Sequence, residues 1–381
     1  MKKLLLGGAG AVVLAALIIV FWLSRMLSNL PDVSILKHYR PAAAAEVLDK
    51  DGNVLTQYYD RKFRIWAPIS GLPDIVIEAV VIAEDDTFFE HKGVNYKAAW
   101  DALVHDMHKH RFARGGSTIT QQMIKNVFLS KEKTITRKVR EYVLARKAEE
   151  ILSKRRILEI YLNEVEWGEN IYGIEAASRY YFAKHAQELT AGEAALLAGM
   201  LPNPRYYNPF KRPEKARRRQ EQVLFNMHQA KLLSDEEYNA ALSQVALRKE
   251  GSDRFDFSAL SGGNGRPCYQ HALEESLLDM YGEQKLYRGG MTITTTLDRS
   301  LQDELRRLDE GLGDKKRDVP ERVLVVKQGD AIRALVCESS REQEVRDRVG
   351  SLVPFFTSGY EVSAAPPSSI TREQIVLSVS K

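Results

Sequence analysis

The sequence predicts a mainly α protein. A single N-terminal transmembrane helix comes first, then a long helical domain, then a small α+β region. Three observations predict this. An uncharged apolar run opens the chain, apolar residues recur at helical spacing from Pro73 to about Leu247, and short β patterns alternate with loops after residue 250. The chain has 381 residues, enough for two or three domains. Its 44% apolar and 28% charged residues are ordinary for a folded protein, and a net charge of +4 is too small to name a partner. Two cysteines, Cys268 and Cys337, cannot make a thiol-ligated zinc site alone and define no disulfide framework.

The elements follow in order. Residues 1–24 hold Lys2 and Lys3, then an uncharged run from Leu4 to Leu23. Twenty helical residues span roughly 30 Å, the thickness of a bilayer core. Trp22 stands where interfacial aromatics collect, and the lysines favour a cytoplasmic N-terminus. A cleaved signal would have a shorter apolar core and a nearby small-residue site, and Ala42–Ala45 lie far past the run. The expectation is a retained anchor with the rest of the chain outside the cytoplasm. Residues 25–72 read as a juxtamembrane connector and a β-hairpin around Asp51-Gly52. Residues 73–247 read as helical, with Pro73 at a first helical position. In that block Ile135, Val139 and Val143 are expected on one buried stripe. Ser153 is expected to cap a helix striped by Ile157, Leu158, Tyr161 and Leu162, and Ser234 to cap another. Residues 248–381 carry a Gly/Ser-rich loop, the β-rich "GGMTITTTLD", and the short β patterns "RVLVV", "IRALV" and "IVLSV".

Two stretches carry chemistry. "AEDDTFFEHKG", residues 83–93, follows a nearly all-apolar segment and crowds Glu84, Asp85, Asp86 and Glu90 around two phenylalanines. "GGSTITQQMIKN" ends at Lys125 and Asn126 and precedes Lys131, Lys133, Arg137, Lys138 and Arg140. Paired glycines permit close backbone approach, and hydroxyls, amides and cations offer donors to an anion. The spacing of a nucleotide P-loop is absent. An anion met outside the cytoplasm by an anchored domain suggests a lipid phosphate or pyrophosphate.

The ordered set of patterns resembles the peptidoglycan glycosyltransferase family, the transferase domain of monofunctional glycosyltransferases and class A penicillin-binding proteins. Glu84, Asp85, Phe88, His91 and Gly93 match its first pattern, and Gly115 to Asn126 its second. Arg137, Lys138 and Glu141 match the third, Ile157 to Asn163 the fourth, and "EAALLAGMLPNPRYYNP" the fifth. The resemblance implies a lysozyme-like helical fold in a bacterial cytoplasmic (inner) membrane protein, single-pass, with its catalytic domain periplasmic or extracellular. It implies polymerisation of lipid II: the 4-hydroxyl of one molecule attacks the anomeric carbon of the growing lipid-linked glycan, with inversion, and undecaprenyl pyrophosphate leaves. Glu84 would be the base and Glu141 the second essential carboxylate. Asp85, Thr118, Gln122, Lys125, Lys133, Arg137 and Lys138 would bind substrate, with Phe88, His91 and Asn163 structural near the site. Many relatives carry Arg where this chain has Lys133; Lys keeps the charge and loses bidentate geometry. A divalent metal ion, Mg or Mn, is implied on the pyrophosphate, with no nucleotide or organic cofactor. The implied partners are lipid II, the growing glycan, the membrane, and a separate transpeptidase or other cell-wall synthesis proteins, with no nucleic acid.

Residues beyond 250 resemble the linker and opening strands of the transpeptidase of class A penicillin-binding proteins. Ser-x-x-Lys occurs at Ser34–Lys37, Ser130–Lys133 and Ser378–Lys381, but no Ser-x-Asn or Lys-Thr-Gly element accompanies it. The expectation is a truncated, non-catalytic remnant without transpeptidase activity. Two rivals stand beside the transferase reading. A lysozyme-like hydrolase or lytic transglycosylase would want a raised-pKa acid near the leaving oxygen, whereas Glu141 sits among cations. A non-catalytic scaffold would have no reason to keep both Glu84 and Glu141.

Overall fold

The computed structural model describes residues 30–59, 62–97, 100, 116–129, 134–243, 245–248, 268–299 and 301. It also describes strand residues 323–328, 331–337, 360–365 and 376–380, and scattered positions between 14 and 28. The chain forms two compact units. The first comprises Met1–Arg40, Ala67–Val165 and Leu189–Val245; the second comprises Pro41–Trp66, Glu166–Glu188 and Ala246–Lys381. Helices dominate and the sheets are small. Most of the Leu4–Leu23 run lies outside the described residues. Its described members Leu14, Leu17, Ile18, Val20, Phe21 and Trp22 are helical with exposed side chains. Among the described residues no helix is long and apolar enough to cross a membrane.

The first unit is built from helices α1 (Asp74–Glu84), α2 (Ile119–Phe128), α3 (Ile135–Ile151) and α4 (Lys154–Glu164). After the excursion of the chain through the second unit come α6 (Ala191–Met200), α7 (Pro213–Gln229) and α8 (Asp235–Ser243). Helix α5 (Ile174–Phe182) belongs to the second unit. Pro73 is the N-cap of α1, one residue outside the first-turn place expected of it. Helix α6 buries nine of its ten residues, Gly192 to Met200, and packs against α1 and α7. An apolar helix without a polar face belongs at the centre of a helical layer. Capping fixes the starts. Thr118 and Gln121 form a capping box on α2, and Thr190 and Glu193 form one on α6. Ser153 caps α4 as expected, and the Ser234 hydroxyl accepts the Glu237 N–H at the start of α8.

One expectation fails here. On α3, Ile135 is 79% exposed and Val139 and Val143 are only half-buried. The buried face is Glu141, Leu144, Ala145 and Ala148. Both sets repeat every three to four residues, so periodicity alone admits either, and the set containing a carboxylate is the one packed inward.

In the second unit β1 (Ala45–Leu48) and β2 (Val54–Tyr58) form the expected antiparallel hairpin, with Gly52 at φ +86° in the turn. The hairpin joins a larger sheet. β1 pairs parallel with β6 (Thr292–Thr295), and β6 pairs antiparallel with β10 (Val376–Ser380). Leu273, Leu277 and Leu286 of α9 (Cys268–Arg288) pack in one apolar cluster with Val47, Leu55, Met291, Ile293 and Leu297. Strand β3 (Phe63–Arg64) pairs with β5 (Ile171–Tyr172), which pairs with β4 (Glu166–Gly168), and this groups residues 166–188 with the second unit. Strands β7 (Val323–Gln328), β8 (Ala331–Cys337) and β9 (Tyr360–Ala365) form a third sheet, of which β9 had no signal in the sequence reading.

Candidate active site

Every described candidate residue lies in the first unit; Lys133 lies outside the described residues. The first two sequence patterns are stitched together by one chain of hydrogen bonds. Asp85 caps the C-terminus of α1, and its carboxylate accepts the Ile119 N–H at 3.0 Å, the first donor of α2. The His91 Nε2 lies 3.0 Å from both Asp85 oxygens. His91 Nδ1 accepts the Gly93 N–H at 3.1 Å, which places the imidazole proton on Nε2, toward Asp85. The Gly93 carbonyl in turn accepts the Thr118 hydroxyl at 2.7 Å. Gly93 has φ +87°, and a Cβ there would stand 2.8 Å from the Ala145 carbonyl oxygen, so glycine is required twice over. Phe88 is fully buried, edge-on to Phe89 and His91, with the Lys154 ammonium 4.3 Å from its ring centroid. Lys154 also donates to the His91 carbonyl at 2.6 Å and to Glu149 at 2.8 Å.

This scaffold presents Glu84 at the last position of α1. Its Oε2 accepts the Gln122 side-chain amide at 2.7 Å, and its Oε1 has no hydrogen-bond partner among the described residues. Burial pushes the Glu84 carboxyl above the usual glutamate value; Gln122, Arg219 and Lys125 pull it down and Asp85 adds to the rise.

A second cluster gathers the cations. Lys138 donates to Glu141, which is 2% exposed, and to the Ser117 hydroxyl at 2.8 Å. The Lys125 ammonium is pushed below its usual value, first by burial. Arg137 and Lys138 act in the same sense, and Glu141 and Glu84 act against it. Lys125 therefore stands within the influence of both carboxylates. The buried Arg137 Nε has no hydrogen-bond partner among the described residues. Among the described residues Lys125, Arg137 and Lys138 outnumber the two carboxylates that act on Lys125, and one buried donor of Arg137 is unanswered.

Asn163 is wholly buried and exchanges hydrogen bonds with the Ala67 N–H and carbonyl, each at 2.8 Å. Glu159 accepts the Ile69 N–H at 3.1 Å. Both tie α4 to the segment before α1. Among the described residues no three His, Cys, Asp or Glu side chains gather as a metal site. The sequence reading passed over Arg219, which acts on Glu84 from α7. The sequence carries no signal for it: in the run Arg217-Arg218-Arg219, Arg217 lies as near the buried set Ala216, Gln220, Val223, Leu224 and Met227 as Arg219 does, and only the fold leaves Arg219 half-buried with the other two exposed. Ser117 was also passed over, and only contact with Lys138 singles it out.

Residues 51–228 match the family model described as Transglycosylase. The chain is 36% identical over 314 residues to Penicillin-binding protein 1A of Aquifex aeolicus, covering 82% of this chain and 42% of that protein. It is 35% identical to the protein of the same name from Neisseria lactamica, covering 74% and 35%, and 34% identical to that of Vibrio cholerae, covering 79% and 36%. The chain thus spans between 35% and 42% of the length of these relatives. A crystal structure of Penicillin-Binding Protein 1A from Haemophilus influenzae aligns at 22% identity with a TM-score of 0.38, over 72% of this chain and 29% of that one, too weak a likeness to carry the fold. The family match spans the site residues from Glu84 to Arg219, and residues 51–228 form a domain of the Transglycosylase family.

Proposed function

We propose that the protein is a membrane-anchored peptidoglycan glycosyltransferase with a lysozyme-like helical domain. It joins lipid II to a growing lipid-linked glycan by inverting displacement of undecaprenyl pyrophosphate. One observation carries the reading. A half-buried carboxyl with a raised pKa, one of its oxygens without a partner among the described residues, shares Lys125 with a cluster in which three cations outnumber the carboxylate Glu141. The two halves of an inverting transfer need these two environments. The incoming hydroxyl must lose a proton, and a base works best when its pKa lies near the working pH. Glu84 Oε1 takes that proton, while Gln122 holds Oε2 and fixes the carboxyl plane. The departing pyrophosphate needs positive charge and no proton. Lys125, Lys133, Arg137 and Lys138 supply it.

Asp85 and Thr118, which the resemblance assigns to substrate, act in this reading through the scaffold. The Asp85 oxygens are engaged by Ile119 and His91, and the Thr118 hydroxyl by Gly93 and the cap of α2. Glu141 holds Lys138 in place. It is also the one carboxylate that fits a divalent metal (Mg or Mn) shared with substrate phosphate oxygens, since Mg²⁺ commonly takes one or two carboxylates plus phosphates. Such a metal would add positive charge at the leaving group. The anchor is supported by the apolar run Leu4–Leu23 and by the exposed apolar side chains of its described part. These 381 residues contain no Ser-x-Asn or Lys-Thr-Gly element, and the reading gives them no transpeptidase step. The test is the purified protein with labelled lipid II. Glycan strands and released undecaprenyl pyrophosphate are expected, and intact lipid II would sink the proposal.

A further inference from the structure

Helix α4 opens on the wrong charge. It begins Lys154-Arg155-Arg156, and no acid stands in its first turn. Helix α3 ends on the wrong charge too: Glu149 and Glu150 lie in its last turn, with no basic residue beside them. A helix N-terminus favours anions and a C-terminus cations, so each dipole opposes the charges at its end. Arg156 is accounted for by the connector, whose Leu36 and Tyr39 carbonyls it holds at 3.2 and 2.6 Å. Lys154 pairs with Glu149 at 2.8 Å, and the Glu149 side chain is only 6% exposed. A buried pair of this kind adds little or nothing to stability over apolar side chains of the same size. Neither the helix ends nor the pairing therefore accounts for a lysine at this place.

What Lys154 touches does account for it. The loop from Asp85 to Gly93 follows directly on Glu84 and carries the Asp85–His91 bond. Lys154 meets this loop at two points: it donates to the His91 carbonyl at 2.6 Å, and its ammonium stands 4.3 Å from the centroid of the fully buried Phe88 ring. Its third partner, Glu149, accepts the Thr120 hydroxyl at 2.6 Å with the same oxygen. Thr120 lies on α2, two residues before the Gln122 that holds Glu84. A compact ammonium with three donors can meet a carbonyl, a carboxylate and a ring face at once. We infer that Lys154 is a positioning residue for Glu84: it ties the loop that follows Glu84, and through Glu149 the helix that holds it, to one point at the start of α4. This rests on Glu84 being the base of the proposed transfer. Lys154 acts through the loop and not on substrate.

The test separates holding the loop from balancing a buried charge, with three variants of the full chain. Lys154→Met keeps the apolar stem and strands Glu149, so Tm should fall. Lys154→Met/Glu149→Gln removes that stranded charge and keeps an acceptor for Thr120, so Tm should return toward that of the parent. The His91 carbonyl and the Phe88 ring stay unheld in both. In both, kcat for lipid II should therefore fall by roughly tenfold or more with KM unchanged, since a misplacement of about 1 Å can cost about 10²-fold. Lys154→Arg, which keeps a cation and a donor, should keep most of the rate. A second readout needs no substrate: the His91 Nε2 proton, seen by NMR in histidine-labelled protein and assigned by its loss in His91→Gln, should exchange faster in the double variant than in the parent. Parental kcat and exchange in the double variant would overturn the proposal, because Lys154 would then only balance Glu149. A kcat that follows Tm across the three variants would overturn it as well, since a purely structural role moves the two together. If the unaltered protein polymerises nothing, the transferase reading falls, and the exchange of the His91 proton still decides whether Lys154 holds the loop.

Discussion

Glu84 and Glu141 are the same side chain in two opposite settings. Glu84 is met by one amide, and burial makes its charge costly. Glu141 is more deeply enclosed, at 2% exposed, yet Lys138 lies against it and Lys125 and Arg137 share its neighbourhood. Burial alone therefore does not decide what a carboxylate can do; the company of cations does. One glutamate is made reluctant to ionise and so able to take a proton. The other is held against Lys138 and so placed to organise cations. Separating the two roles by substitution is the direct way to break this comparison.

The largest effect belongs to Glu84→Gln. The amide keeps the shape and can still meet Gln122, but it cannot accept a proton. Loss of a general base costs at least roughly 10²-fold in rate. Polymerisation should fall by that much with the fold intact by circular dichroism, and near-normal synthesis would remove Glu84 from the mechanism.

The next effect is on stability and is asymmetric across the Lys138–Glu141 pair. The Lys138 side chain is 36% exposed and the Glu141 side chain 3%. Lys138→Ala strands a buried carboxylate and should cost about 2 kcal/mol in chemical unfolding. Glu141→Gln leaves a lysine that water can reach, and should cost less than about 1 kcal/mol. Equal costs would mean that neighbouring Lys125 and Arg137 take over the pairing.

A smaller effect, of definite sign, follows from burial of Glu84. Its carboxyl is harder to ionise in the folded chain than in the unfolded one. The stability this group contributes is therefore fully present below the unfolded pKa, about 4.3 for glutamate, and is lost as pH rises through the folded value. Glu84→Gln lacks that loss. The two proteins should be closest in Tm near the unfolded pKa, and the variant should gain on the parent as pH rises to neutrality. A gap that stays constant with pH would show that Glu84 ionises freely and is not the reluctant member of the pair.

Much of this site was legible in the sequence because its links are local or spaced by a helix. Ser153 announces a cap and Ile157, Leu158, Tyr161 and Leu162 a buried stripe, and both features are present. The joins between patterns were not legible. Asp85 meets Ile119 across 34 positions and Asn163 meets Ala67 across 96, and no spacing rule reaches that far. The register of a charged helix was not legible either.

That register gives the smallest expected effect and the finest test of the comparison. The apolar set Ile135, Val139 and Val143 looks like the buried stripe of α3, yet Ile135 points to water and Glu141 points inward. Hydrophobic pattern competes here with the need to place a carboxylate among cations, and the carboxylate wins because Leu144, Ala145 and Ala148 supply enough apolar contact on its own face. Ile135→Ser should accordingly change stability by no more than about 0.5 kcal/mol, as exposed substitutions do. Leu144→Ala, one turn from Glu141 on the buried face, serves as the control and should cost about 2–5 kcal/mol. A costly Ile135→Ser would place the core on the other face of α3. It would turn Glu141 toward water together with Lys138, its i,i+3 partner on the same helix, and remove the difference between the two glutamates on which the division of roles stands.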